Sequence, residues 1–153
     1  MLEAYTIRDA QASDLEDMVR LLSQLFALER DFDIDPKRQR AGLEQLLASD
    51  IAQIFVASLQ DRVVAMVTVQ RVISTAEGGP VAWVEDLVVD ASCRGQGIGR
   101  ALLGHLQDWC AASNISRLQL VADRDNHAAL DFYRRQGWLE MNLNVLRHVQ
   151  SYD

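Results

Sequence analysis

Arg94-Gly95-Gln96-Gly97-Ile98-Gly99 lies between an apolar run, Val81 to Val89, and a helical pattern that starts near Ile98. A short glycine-rich turn that joins a strand to a helix N-terminus presents unpaired backbone N–H groups and the positive end of a helix dipole. Such a turn suits a phosphate-bearing ligand. The glycines let the ligand come close to the backbone, and Arg94 can pair with an anion. Spacing narrows the choice of ligand. A dinucleotide fingerprint needs G-x-G-x-x-G, but with Gly95 and Gly97 in the first two places the third falls on Arg100. A Walker loop ends in Gly-Lys-Ser/Thr, and this stretch has no lysine. Both familiar nucleotide readings fail.

What remains is R-x-x-G-x-G after a strand. That pattern resembles motif A of the GNAT N-acyltransferase superfamily. A second stretch, Asn126-His127-Ala128-Ala129-Leu130-Asp131-Phe132-Tyr133-Arg134-Arg135-Gln136-Gly137-Trp138, resembles the family's N-x-x-A-x-x-F-Y-x-x-x-G-F signature, with Trp138 in the last aromatic place. The two motifs stand in the family's order, with room between them for a helix and one strand. The specific resemblance spans Val81 to Trp138; the first eighty residues match only in coarse element order. It implies an α/β chain with the GNAT fold: a mixed central sheet flanked by helices, with a splayed strand pair that binds acetyl-CoA.

The 153 residues suggest one domain, residues 1–153, large enough for a real core. A hydrophobic share of 49% and a charged share of 24% are those of a soluble globular protein. No apolar run is long enough to span a membrane, and the N-terminus lacks a basic-then-apolar signal pattern. Two cysteines, Cys93 and Cys110, form no C-x-x-C pair, so a reduced, cytoplasmic setting is expected. A net charge of −7 argues against nucleic acid as a partner. The histidines His105, His127 and His148 show no metal spacing, and no metal is expected.

Patterning places the remaining elements. Tyr5 to Arg8 alternates as a first strand, and Ser13 with Glu16 reads as a capping box. Leu15, Met18, Val19, Leu22, Leu25 and Phe26 then share one helical face. Asp35-Pro36 reads as an N-cap with proline at the first helical position, ahead of Leu43, Leu46 and Leu47. Ile54 to Leu59 and Arg62 to Val72 read as strands around a tight turn at Gln60-Asp61, and Gly78-Gly79-Pro80 breaks the chain before Val81. Ile98, Leu102, Leu106 and Trp109 form a helical stripe expected to end near Asn114. Leu118 to Ala122 reads as a buried strand, and Asn126 to Gln136 as a helix with Gly137 as its left-handed stop. Leu139, Met141, Leu143 and Val145 alternate with polar residues, which predicts a final strand.

Acyl transfer from a thioester to an amine needs a held cofactor, a neutral amine, a donor for the developing oxyanion and a proton for the departing thiolate. The N–H groups of Gln96 to Gly99, with Arg94, Gly95 and Arg100 beside them, suit a pyrophosphate. By the resemblance, the backbone of Leu87, Val88 and Val89 pairs with the pantetheine arm and supplies the oxyanion donor. Asn126 is placed to hydrogen-bond the pantetheine amides or to cap its helix. The resemblance also puts Tyr133 near the cofactor sulfur, where a phenol, protonated at neutral pH, serves as general acid. Glu85 is the candidate general base, or a rim carboxylate that attracts a cation. On a regular strand it shares a face with Trp83 and Leu87, and Asp86 points the other way unless a bulge intervenes. The amine is a small molecule or a peptide. Val84 to Val89 resembles the matching strand of diamine and glucosamine-phosphate acetyltransferases, which leaves the acceptor open. A homodimer paired through Leu139 to Leu146 is also expected. The contrasting reading is a non-catalytic acyl-CoA-binding or interaction domain that keeps the fold.

Overall fold

Strand β1 (Thr6–Asp9) leads through a short 3-10 turn into helices α1 (Leu15–Leu28) and α2 (Pro36–Ala48). Three strands follow, β2 (Ala52–Leu59), β3 (Arg62–Ser74) and β4 (Gly79–Val89), then helix α3 (Ile98–Ala112), strand β5 (Leu118–Gln119) and helix α4 (His127–Arg135). This computed structural model describes residues 4–151. They fall into two compact units, one reaching Leu120 and one starting at Val121.

The first unit holds the whole sheet, in the order β1-β2-β3-β4-β5. The first four strands pair antiparallel, and β5 pairs parallel to β4, so the sheet is mixed. Gln60 and Asp61, with φ of 48° and 63°, make the two-residue turn between β2 and β3, a geometry that matches the twist of paired strands. On β2 the side chains alternate between two cores. Ile54 and Val56 pack with Met66, Val88 and the α1–α2 residues Met18, Leu21, Leu22 and Leu43. Phe55, between them, meets the opposite layer: its ring lies 4.8 Å from that of His105 and 5.8 Å from that of Trp109, both on α3. Helices therefore cover both faces of the sheet.

Four local expectations change. Ser13 and Glu16 do not form the capping box. The box uses Gln11 and Asp14 instead, where the Gln11 N–H donates to Asp14 Oδ2 at 2.8 Å. The cause is tertiary: Arg8 on β1 clamps Asp14 through two hydrogen bonds of 2.8 and 3.0 Å and lowers its pKa. Helix α3 ends at Ala112, two residues early. The expected buried strand Leu118 to Ala122 forms a ladder over Leu118–Gln119 alone, both half-buried. In the second unit, residues 139 to 150 are not a strand, and Leu139, Met141, Leu143 and Val145 are 70–87% exposed. Alternation gives a segment the capacity to pair, but a strand also needs a partner edge. Asp35, by contrast, caps α2 as read: its Oδ1 accepts from the Arg38 N–H at 3.1 Å.

Candidate functional site

Strand β4 changes character along its length. From Gly79 to Trp83 it is laddered to β3 by an unbroken register, and at Ala82 and Trp83 it also pairs with β5, through Ala82↔Leu118 and Trp83↔Gln119. Beyond Trp83 the pairing with β5 stops, which leaves that edge of β4 without a strand partner among the described residues. On the other side, Thr68 pairs with Glu85 and Met66 with Val88, so Asp86 and Leu87 together oppose Val67. This is a β-bulge, and it takes backbone groups of the extra residue out of the ladder. Asp86 sits in it with φ +53°, a conformation that non-glycine residues adopt seldom and that Asp tolerates better than most.

The bulge resets the side-chain alternation. Thr68 and Met66 share a face of β3, so their partners Glu85 and Val88 share a face of β4. Val88, rather than Leu87, therefore lies on the side of Glu85, and Val88 is part of the α1–α2 core. Trp83 keeps its expected place: its indole N–H donates to Glu85 Oε1 at 2.8 Å.

The two adjacent carboxylates differ. Glu85 is exposed. Asp86 is half-buried, and burial first, then the Glu85 charge, push its pKa up to about 6 against a smaller opposing effect of the Thr68 hydroxyl. That hydroxyl lies 3.2 Å from Asp86 Oδ2 and 3.1 Å from the Glu85 carbonyl oxygen. The placement of Asp86 depends on a bulge, and a bulge leaves no sequence signature here. Thr68 did leave one, as a lone hydroxyl in the apolar run Val63 to Val69.

Past Val89 the chain is held from beneath. Asp90 is 4% exposed, with Oδ1 accepting from the Ser92 hydroxyl at 2.6 Å and the Ser92 N–H at 3.0 Å. Its Oδ2 takes an ion pair from Arg20 and a 3.2 Å bond from Gln24, both on α1, while Gln24 Oε1 accepts from the Ala91 N–H. These bonds, Ser92 foremost, hold the Asp90 carboxyl well below the usual carboxylate range. An acidic residue and a serine after an apolar strand announce a turn; the two α1 residues that complete this clamp are tertiary partners that spacing cannot disclose.

The turn itself contains Gly95 and Gly97 at φ +77° and +81°. Gly97 is the N-cap of α3 and offers no side-chain acceptor to the first turn. The first N–H in the helical register is that of Ala101, bonded to the Gly97 carbonyl at 3.0 Å, so those of Ile98, Gly99 and Arg100 precede the intrahelical ladder. Gly95, Gln96 and Gly97 are exposed, Arg100 is exposed, and exposed Arg94 is anchored by its Nε, which donates to the Val89 carbonyl at 3.1 Å. A helix start of this kind fits a pyrophosphate. Leu87 and Val89 are half-buried, Val88 buried.

The second unit carries Asn126 and Tyr133. Asn126 Oδ1 accepts from the Ala129 N–H at 3.1 Å, so the cap of α4 engages its oxygen and not its amide nitrogen. Tyr133 is half-buried, and its ring lies 5.3 Å from that of Phe132 and 5.8 Å from that of Trp138. Gly137, with φ +89°, ends the helix as expected. Among the described residues no group of three or more His, Cys, Asp and Glu side chains is arranged to hold a metal ion, and no helix is long and apolar enough to cross a membrane.

Comparison with known proteins agrees with this fold. The family model described as the acetyltransferase (GNAT) family matches residues 15–138, which run through both units. An uncharacterized N-acetyltransferase of Methanocaldococcus jannaschii is 27% identical over 142 residues, 92% of this chain and 63% of that protein, so the chain spans less than two thirds of that relative. Among solved structures, a possible acetyltransferase from Clostridium difficile 630 superposes with a TM-score of 0.86 at 22% identity, over 98% of this chain and 100% of that one. An aminoglycoside N-acetyltransferase in complex with CoA gives 0.83 at 18% identity, over 99% and 98%. At these identities the two structures speak for the fold.

Proposed function

The chain belongs to the acetyltransferase (GNAT) family, and from that premise we propose an N-acetyltransferase that moves the acetyl group of acetyl-CoA to a primary amine by direct attack in a ternary complex. One observation carries the proposal: an uncapped helix start follows, across one glycine-containing turn, a strand that has lost its neighbour and holds a raised-pKa carboxylate in a bulge. The relative solved with CoA, itself an aminoglycoside N-acetyltransferase, supports both the cofactor and a small-molecule amine as acceptor; a peptide amine suits the same chemistry.

Acetyl-CoA supplies the activated acyl group; the chain's own residues do the rest. Ile98, Gly99 and Arg100 offer N–H donors to the pyrophosphate, with Arg94 as a counter-charge and Gly95, Gln96 and Gly97 leaving the approach open. The open edge of Leu87, Val88 and Val89 suits the pantetheine amides, and an N–H released by the bulge suits the thioester oxygen. An amine is mostly ammonium at neutral pH and must lose a proton before it attacks. Of the two carboxylates, Asp86 suits that task, since a pKa of about 6 leaves it ionised yet basic at pH 7. Glu85, exposed and bonded to the Trp83 indole, suits attraction of the cation. Tyr133 is the proposed donor of the proton to the thiolate, and Asn126 has amide donors left to offer the cofactor. We read residues 1–153 as one domain, because the family match runs across both units. A homodimer is proposed from the exposed apolar alternation of Leu139 to Val145, and a monomer in sedimentation at micromolar concentration contradicts it.

A thiol-release screen with acetyl-CoA and polyamines, amino sugars, aminoglycosides, amino acids and peptides tests the activity. Turnover with any amine supports it. Tight CoA binding with no turnover across the panel favours the non-catalytic binding domain.

A further inference from the structure

Thr68 is the one polar side chain in the buried middle of β3. Val63, Val64, Ala65, Met66, Val67 and Val69 are each at most 2% exposed, and Thr68 is 1% exposed. A hydroxyl in such surroundings is costly unless it is bonded. Here two acceptors compete for it, the Glu85 carbonyl at 3.1 Å and Asp86 Oδ2 at 3.2 Å. The hydroxyl has a single proton to give and lone pairs with which to accept.

The count of protons links it to the state of Asp86. With Asp86 ionised, the Thr68 O–H is drawn to the carboxylate and the Glu85 carbonyl loses that donor. With Asp86 protonated, the new carboxyl O–H donates to Thr68 Oγ, and the threonine proton turns to the Glu85 carbonyl. Every group is then satisfied. No covalent bond to Thr68 is made or broken in this exchange; one proton arrives on Asp86 from outside and one hydroxyl rotates.

We propose that Thr68 is a positioning residue for the β4 bulge, turning its hydroxyl between the Glu85 carbonyl and the Asp86 carboxylate so that the proton affinity of Asp86 is moderated from the neighbouring strand. The proposal rests on the reading of Asp86 as the proton acceptor. The charge acting on Asp86 is that of Glu85 on its own strand, and from β3 the group that reaches it is this hydroxyl. The bond to the ionised carboxylate is charge-assisted and stronger than the one the neutral carboxyl donates to Thr68 Oγ, so Thr68 favours the ionised form and opposes the burial that raises the Asp86 pKa.

Carboxyl-carbon NMR titration of the ligand-free protein tests this, with the Asp86 signal assigned by its loss in Asp86→Asn. Thr68→Val keeps the shape of the side chain and removes the hydroxyl, so the Asp86 midpoint should rise by about 0.5 to 1 pH unit. Thr68→Ser restores the donor and should return the midpoint to near its wild-type position. Should Thr68→Val not fold, Thr68→Ala provides the same comparison. An Asp86 midpoint that stays in place without the hydroxyl overturns the role of Thr68, even if stability falls. The base reading fails separately: Asp86→Asn with full turnover contradicts it and leaves the titration result standing.

Discussion

The two halves of β4 are built from similar residues and serve opposite ends. Val81, Ala82 and Val84 are at most 6% exposed and lie in or beside a ladder with partners on both sides. A few residues on, the strand loses β5, gains an extra residue, turns through a positive φ at Asp86 and runs into a helix start that no side chain caps. The first half is paired to β3 throughout and to β5 at Ala82 and Trp83, which leaves those two residues no open edge. The second half leaves an edge, a bulge and a set of N–H groups open, and those are the groups that acyl transfer needs. On the proposed function, stability and catalysis are divided along one strand. The clamp of Asp90 by Ser92, Arg20 and Gln24 keeps the open half in place.

Substitutions should respect that division. The largest effect on turnover is expected from Asp86→Asn, a loss of about 100- to 10,000-fold in kcat at pH 7, measured once an acceptor is found. The same change should stabilise the protein. The Asp86 pKa is raised on folding, so the native state holds its proton more firmly than the unfolded chain, and wild-type stability falls as pH rises from about 4 through about 6. Asp86→Asn removes that loss, so its denaturation midpoint should exceed that of wild type at pH 8 and match it at pH 3. A variant no more stable at pH 8 contradicts the burial argument.

Tyr133→Phe should lower turnover by about ten- to a thousandfold with cofactor affinity nearly unchanged, since it keeps the ring packed on Phe132 and Trp138 and removes the proton. Full activity makes the tyrosine a packing residue only. In the first half of β4, Val81→Ala should cost about 1–3 kcal/mol of stability in chemical denaturation and leave CoA affinity alone. A large loss of affinity there would blur the division of the strand. Glu85→Gln should have the smallest effect, a rise of a few-fold in the acceptor's KM with kcat retained. A fall in kcat equal to that of Asp86→Asn returns the proton task to Glu85.

Much of this division was legible in the sequence, for reasons that differ by element. The Gly95–Gly97 turn was readable because positive φ demands glycine, and the α3 stripe because helical period is local. The Asp35 and Asn126 caps were readable for the same reason. Asp86 was not, because its place follows from the register of Met66↔Val88 against Thr68↔Glu85, a property of two strands. The capping box moved from Ser13 to Gln11 because Arg8, on another element, claims Asp14. The alternation of Leu139 to Val145 promised a strand that residues 139 to 150 do not form, since periodicity states what a segment can bury and is silent on what it meets.

The central claim is that the open half of β4 and its glycine turn hold acetyl-CoA, and calorimetric titration of CoA into wild type and Gly97→Asp tests it most directly. Gly97 has φ +81°, which an aspartate adopts only with strain, and its carboxylate would stand where the pyrophosphate approaches. Wild type should bind with a measurable heat, and Gly97→Asp should show none while its far-ultraviolet circular dichroism remains that of the folded protein. Equal affinity in the two proteins would place the cofactor elsewhere and contradict the account.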